Sequence, residues 1–260
     1  MNLKVVSLMA EACDPFYWAL AEYLTSSTGL QCVIVDEPDW RQRDRLLDCG
    51  EAEIGFVCGL QYLAKREFEL LAAPVTSGTR YRDQPIYFSD LVVASESTYQ
   101  SFADVKGSVL AFNEPTSHSG CNLIRYHLAV RGLSARYFGN IVESGSHRTS
   151  IEMLLDRRAD VAAIDATVLE LETVARPELA RKLRVIETLG PSPAPPAIVS
   201  KRVPAPIKER LRNRLITMHE DSAAKRVLHL ARLSRFASVR DADYEPIRSM
   251  KVKASEIAFP

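Results

Sequence analysis

Short strand-like and helix-like runs alternate from the first residues of this chain. This alternation limits the fold more than any other feature. Residues 3–8 read as a strand, 16–27 as a helix, 32–35 as a strand, 40–49 as a helix and 54–57 as a strand. The first helix puts Phe16, Leu20, Tyr23 and Leu24 on one face, and Gly29 supplies its stop. Asp39 offers the oxygen that caps the second. A βαβαβ run implies a parallel sheet covered by helices on both faces. A strand at 70–75 follows, then a polar loop over 76–84 with Arg80, Tyr81 and Arg82, then a long strand-like run over 86–94.

A second series starts there. It contains a short element at 102–105, a strand at 109–112, a helix from Ser119, a strand around 137–142, a helix at 151–157, a strand at 161–165, a helix from Ala166 and a strand at 185–189. Pro191, Pro193, Pro195 and Pro196 then predict an extended connector, because proline continues neither a helix nor an inner strand. Residues 197–199 read as a strand, 206–220 and 223–230 as helices, and the tail from Asp241 has no strong pattern. The expected fold is α/β with two lobes, each a mostly parallel sheet flanked by helices, joined by two crossings. Lobe 1 is discontinuous, 1–88 plus 195–260, and lobe 2 is 89–194. Ligand sites in such folds lie at domain interfaces and beyond the carboxyl ends of strands.

Composition removes several function classes. The 260 residues carry 33 basic and 33 acidic side chains, for a formal net charge of +0. That balance argues against a protein held to nucleic acid by charge. No apolar run approaches the length of a membrane span, so no membrane insertion is expected. Cys13, Cys32, Cys49, Cys58 and Cys121 are odd in number and widely spaced, with no metal-ligand spacing. They lean toward a reducing compartment. Residues 1–10 read as the first strand and not as a secretory leader. The chain is then cytoplasmic if Met1 is the native start, and periplasmic if a leader has been removed.

The polar residues are concentrated at helix entrances. Asn113-Glu114-Pro115-Thr116-Ser117-His118-Ser119-Gly120 joins the 109–112 strand to a helix. The first turn of a helix presents unpaired N–H groups and partial positive charge. Hydroxyls converging there make a seat for an oxyanion. One Ser or Thr suffices for a cap, so Thr116, Ser117 and Ser119 with His118 exceed that need. Ser144-Gly145-Ser146-His147-Arg148-Thr149-Ser150 makes a second such entrance, and Asp165 ends the strand at 161–165. The hydroxyls donate, and both histidines donate when neutral and add charge when protonated. An ionised Asp165 accepts only, so it suits a proton-bearing P–OH or a ligand amine. Capping offers a plainer role for His147 and for Asp165, and Arg148 reads as a solvated helix residue.

These motifs, together with Ala159-Asp160-Val161-Ala162-Ala163-Ile164-Asp165 and Glu51-Ala52-Glu53-Ile54-Gly55-Phe56, resemble in order and spacing the phosphate/phosphite/phosphonate substrate-binding proteins of ABC transporters. The resemblance implies a type 2 periplasmic-binding-protein fold whose two lobes close on a small oxyanion in the cleft between them. It assigns the anion to Ser117, His118 and Ser119, with His147, Asp165 and a hinge-proximal Tyr87. His118 stands where the family commonly has Thr. The first-lobe loop has Cys58 and Gly59 beside Val57, where the family carries an aromatic. The implied partners are the oxyanion and an ABC permease, and no cofactor or metal is implied. A cytosolic enzyme on the same fold is the alternative, motivated by Cys58, His118 and His147; a ligand-sensing protein is a third reading.

Overall fold

A computed structural model describes residues 2–259, which divide into two compact units. One holds the chain up to Ile86 together with Pro193–Tyr244, and the other holds Tyr87–Ser192 together with the segment from Glu245. The chain thus passes between units three times, where the sequence pattern predicts two crossings and assigns 245–260 to the first lobe.

Along the chain the first unit supplies β1 (Asn2–Ser7), α1 (Asp14–Thr28), β2 (Gln31–Ile34), α2 (Trp40–Asp48), β3 (Ile54–Phe56), α3 (Gly59–Tyr62) and β4 (Phe68–Thr76). Then come β5 (Ile86–Ala94), β6 (Val109–Phe112), α4 (Leu123–Val130), β7 (Asn140–Glu143), α5 (His147–Leu155), β8 (Val161–Asp165), α6 (Ala166–Ala175), α7 (Leu179–Lys182) and β9 (Leu183–Pro193). The chain ends with β10 (Ala197–Ser200), α8 (Ala205–Thr217), α9 (Ser222–Leu230), β11 (Leu233–Ala237) and α10 (Glu245–Ala254).

The first unit's sheet has the order β11-β4-β10-β3-β1-β2. β1 is parallel to β2 and β3, whereas β10 runs antiparallel to β3 and β4, and β11 antiparallel to β4. This sheet is therefore mixed and not mostly parallel. β10, which follows the return from the other unit, and β11, later in the same segment, run opposite to the earlier strands, which period alone does not reveal. Phe16, Leu20 and Leu24 of α1 are buried, as the helical face predicts, and Phe16 stacks with Phe236 of β11. Burying each such side chain contributes about 1.5–3 kcal/mol. Asp39 caps α2, accepting from the Arg41 N–H at 2.9 Å.

The second unit's sheet has the order β7-β6-β8-β5-β9. β6 is parallel to β7 and β8, and β5 runs antiparallel to β8. One face packs Leu91, Leu110, Phe112 and Ala163 against Leu123, Ile124 and Leu128 of α4. The other packs Val92, Ala111, Ala162 and Ile164 against Ile151 and Leu154 of α5. β9 continues through Pro191 and Pro193, which the proline rule assigns to a connector. It occupies the sheet edge, where a missing N–H costs no ladder bond.

The tail that has no strong pattern forms α10, with Ile247 and Ala254 buried and Met250 packed on the same core as α4. The Arg125 Nε donates to the Ile257 carbonyl at 2.6 Å just beyond it. No described helix is long and apolar enough to cross a membrane.

Candidate functional site

Because β6, β7 and β8 are parallel neighbours, their carboxyl ends lie at one edge of the second unit's sheet. Each end feeds a helix whose cap is a short polar residue. The Ser117 Oγ accepts from the Gly120 N–H at 3.0 Å, the Ser146 Oγ from the Thr149 N–H at 3.0 Å, and the Asp165 Oδ1 from the Thr167 N–H at 2.8 Å. A cap of this kind stabilises a helix by about 1 kcal/mol. Ser146, not His147, thus caps α5, and that helix begins at His147 instead of Ile151.

The first entrance is not an ordinary α-helical start. His118–Asn122 form a π-helical turn, with i→i+5 bonds from the Asn122 N–H to the Ser117 carbonyl and from the Leu123 N–H to the His118 carbonyl. Ser117, His118 and Ser119 are all buried at this wider turn. Gly120 is required here by close approach. A Cβ on it would sit 1.8 Å from the Asn113 Oδ1 and 3.1 Å from the His147 Cε1. Gly145, with φ +86°, makes the turn before α5, and its N–H donates to the Asn113 carbonyl at 2.8 Å.

Three elements converge on Ser119. Its Oγ lies 3.4 Å from the His147 Nε2 and 3.5 Å from the Asp165 Oδ2. Both separations exceed those of a good hydrogen bond, so these groups keep capacity for a further partner. Asp165 is divided by role: Oδ1 is taken by the Thr167 N–H and hydroxyl, while Oδ2 faces Ser119. Burial pushes the Asp165 carboxyl up to about 6, against the lowering effect of its bonds from Thr167. Burial also pushes His147 down to about 4, with the Ala163 backbone carbonyl opposing, so the ring is neutral near pH 7.

β5 adds Ser89, which sequence reasoning missed. Ser89 pairs with Asp165 in the antiparallel register, so the two share a sheet face. Its hydroxyl is fully buried and has no hydrogen-bond partner. Tyr87 lies two residues back on the same face. Ser89 is lost in an apolar run, and only its register with Asp165 identifies it.

Of the residues singled out from sequence, Ser117, Ser119, His147, Asp165 and Tyr87 are buried at this edge. Thr116 is exposed and donates to Glu114 at 3.2 Å, outside the cluster. His118 is wholly buried, with its ring nitrogens within hydrogen-bond distance of Ser192 and Asn122 inside the unit. Arg148 donates to the buried Glu172 at 2.8 Å and ties α5 to α6. Cys58 and Gly59 belong to the first unit, where Cys58 caps α3 in a capping box with Gln61. All five cysteines are free thiols, and no group of His, Cys, Asp and Glu among the described residues is arranged to hold a metal.

A sequence model of the family described as "ABC transporter, phosphonate, periplasmic substrate-binding protein" matches residues 11–244. Among solved structures, a binding protein component of an ABC phosphonate transporter from Pseudomonas aeruginosa is similar with a TM-score of 0.85 at 19% identity, covering 98% of this chain and 86% of that one. PhnD1 from Prochlorococcus marinus, solved in complex with methylphosphonate, also gives 0.85, at 16% identity over 98% of this chain and 99% of that one. A Xanthomonas citri protein bound to ATP gives 0.74 at 18% identity over 98% and 97%. These likenesses fix the fold as that of the type 2 periplasmic binding proteins.

Proposed function

The chain belongs to the family of periplasmic phosphonate substrate-binding proteins of ABC transporters, and we propose that it captures a small tetrahedral oxyanion that carries a proton. The observation behind this reading is the convergence of the Ser119 Oγ, His147 Nε2 and Asp165 Oδ2 at buried strand ends. Two hydroxyls, a neutral imidazole and the helix-entrance amides donate to anionic oxygens. The Asp165 carboxylate accepts, so the ligand brings a P–OH to it. A phosphonate, phosphite or hydrogen phosphate meets this demand. A sulfonate meets it only when Asp165 itself holds the proton.

Capture entails closure of the two units on the ligand, after which an ABC permease receives it. That role puts the protein in the periplasm and asks no catalysis of it. Two of the three groups that motivate an enzyme are otherwise occupied, since Cys58 caps α3 and His118 is engaged by Ser192 and Asn122. Calorimetric titration with phosphate, phosphite, methylphosphonate, methanesulfonate and acetate tests the reading. Binding of at least one phosphorus oxyanion, and no turnover, is the expected result. A folded sample that binds none of them overturns it.

A further inference from the structure

The imidazole of His118 sits inside the anion-seating turn yet contacts residues far from it in sequence. Its Nδ1 lies 3.1 Å from the Asn122 Nδ2, and its Nε2 lies 2.9 Å from the Ser192 Oγ. An amide nitrogen only donates, so Nδ1 accepts, and the ring proton resides on Nε2 and is donated to Ser192. A second proton would leave Nδ1 facing a donor. Burial holds the group neutral, down to about 3. His118 therefore brings no charge to an anion.

What it brings is connection. Ser192 is the last residue of the second unit before the passage at 192/193, and Tyr87 is the first after the passage at 86/87. The Tyr87 ring centroid lies 6.2 Å from that of His118. One side chain of the turn thus reaches the strand ends at two of the three passages, 86/87 and 192/193.

We propose that His118 is a positioning residue for oxyanion binding, fixing Ser117 and Ser119 against the strand ends at Tyr87 and Ser192, so that occupancy of the turn and the geometry of those passages depend on each other. This rests on the reading of the turn as the oxyanion seat. A shift of either strand end is carried to the turn through a neutral, fully paired ring, and an anion on the turn restrains the strand ends in return.

The test uses Ser192→Ala, which removes the acceptor of the His118 N–H and leaves the turn's own sequence intact. Ser108→Ala is the control, because Ser108 is a buried serine of the same unit whose hydroxyl donates to the Val105 carbonyl at 2.7 Å. Methylphosphonate affinity is measured by calorimetry beside the thermal midpoint of each apo protein. Ser192→Ala is expected to weaken binding about threefold to tenfold, while Ser108→Ala lowers the midpoint without changing affinity. Wild-type binding with an unaltered affinity in Ser192→Ala overturns the proposal and leaves the oxyanion reading standing. Equal affinity losses in both variants also overturn it. Absence of any oxyanion binding by the wild type overturns both. Should Ser192→Ala not fold, the 15N resonances of His118 in the wild type decide. A shift at the Nε2–H tautomer on adding methylphosphonate supports the coupling, and unchanged resonances contradict it.

Discussion

Both units build the same device, a trio of neighbouring parallel strands whose carboxyl ends lead into helices, and they finish it differently. In the second unit the ends of β6, β7 and β8 lead to Ser117, Ser146 and Asp165, with His147 and Ser119 beside them. In the first, the ends of β3, β1 and β2 lead to Cys58 before α3, Cys13 before α1 and Asp39 before α2. A cavity of about 260 Å³ near the ends of β1 and β2 is lined by Glu11, Asp14, Asp36 and Glu37, with Trp18 and Arg43. Topology therefore provides two comparable edges, which differ in the side chains placed around them. On the proposed reading, the carboxylates lining the first cavity disfavour an oxyanion, whereas the Ser117 and Ser119 hydroxyls and the neutral His147 ring at the second edge favour it.

The largest effect that can break this contrast is expected at Ser119, where three elements meet. Ser119→Ala should weaken phosphonate binding by roughly 1–3 kcal/mol, the cost of one hydrogen bond to a charged group. Ser117→Ala should lose a comparable amount of affinity and also about 1 kcal/mol of stability, because its Oγ caps the turn through Gly120. Calorimetry together with thermal denaturation separates the two. Lost folding with unchanged affinity would mean that these hydroxyls serve only as caps.

Asp165→Asn sharpens the contrast by changing which anions are accepted. Wild-type protein is expected to bind methylphosphonate at pH 7.5 and methanesulfonate only as the pH falls below about 6, where Asp165 is protonated. The variant should accept the sulfonate at both pH values, since an amide donates without a proton from the ligand. Sulfonate binding to the wild type that ignores pH would contradict this. Stability carries the same signature. The unfolded chain gives up the Asp165 proton near 3.8 and the folded one near 6, so this residue lowers apo stability as pH rises between those values. Asp165→Asn should remove that decline in denaturant titrations across pH 4–7.

The smallest effect belongs to the other edge. Asp36→Asn in the first unit's acidic cavity should leave methylphosphonate affinity within about twofold of wild type, because exposed charges of this kind are screened. A loss as large as that at Ser119 would place part of the anion seat there.

Much of this was legible in the sequence where local chemistry and fold agree. The β5, β6 and β8 runs are rich in apolar residues, and their boundaries follow from the residues alone. The hydroxyl-rich entrances and the strand-end Asp165 are likewise local. What was not legible depends on partners distant in the chain. β11 breaks its alternation at the register shift between Leu233 and Arg235, so Leu233 and Phe236 do not fall on a period of two. α10 buries Ile247 and Ala254 amid charged residues, too narrow a stripe to announce a helix. Ser89 gains meaning only opposite Asp165, and the role of His118 only from Ser192, 74 residues away.

The central claim is that the second unit's strand-end cluster seats the oxyanion. A crystal structure with methylphosphonate tests it most directly. The account predicts phosphonate oxygens within hydrogen-bond distance of the Ser119 Oγ and the His147 Nε2, with the third oxygen at the Asp165 Oδ2. A bound phosphonate that touches none of Ser117, Ser119, His147 and Asp165 would contradict it.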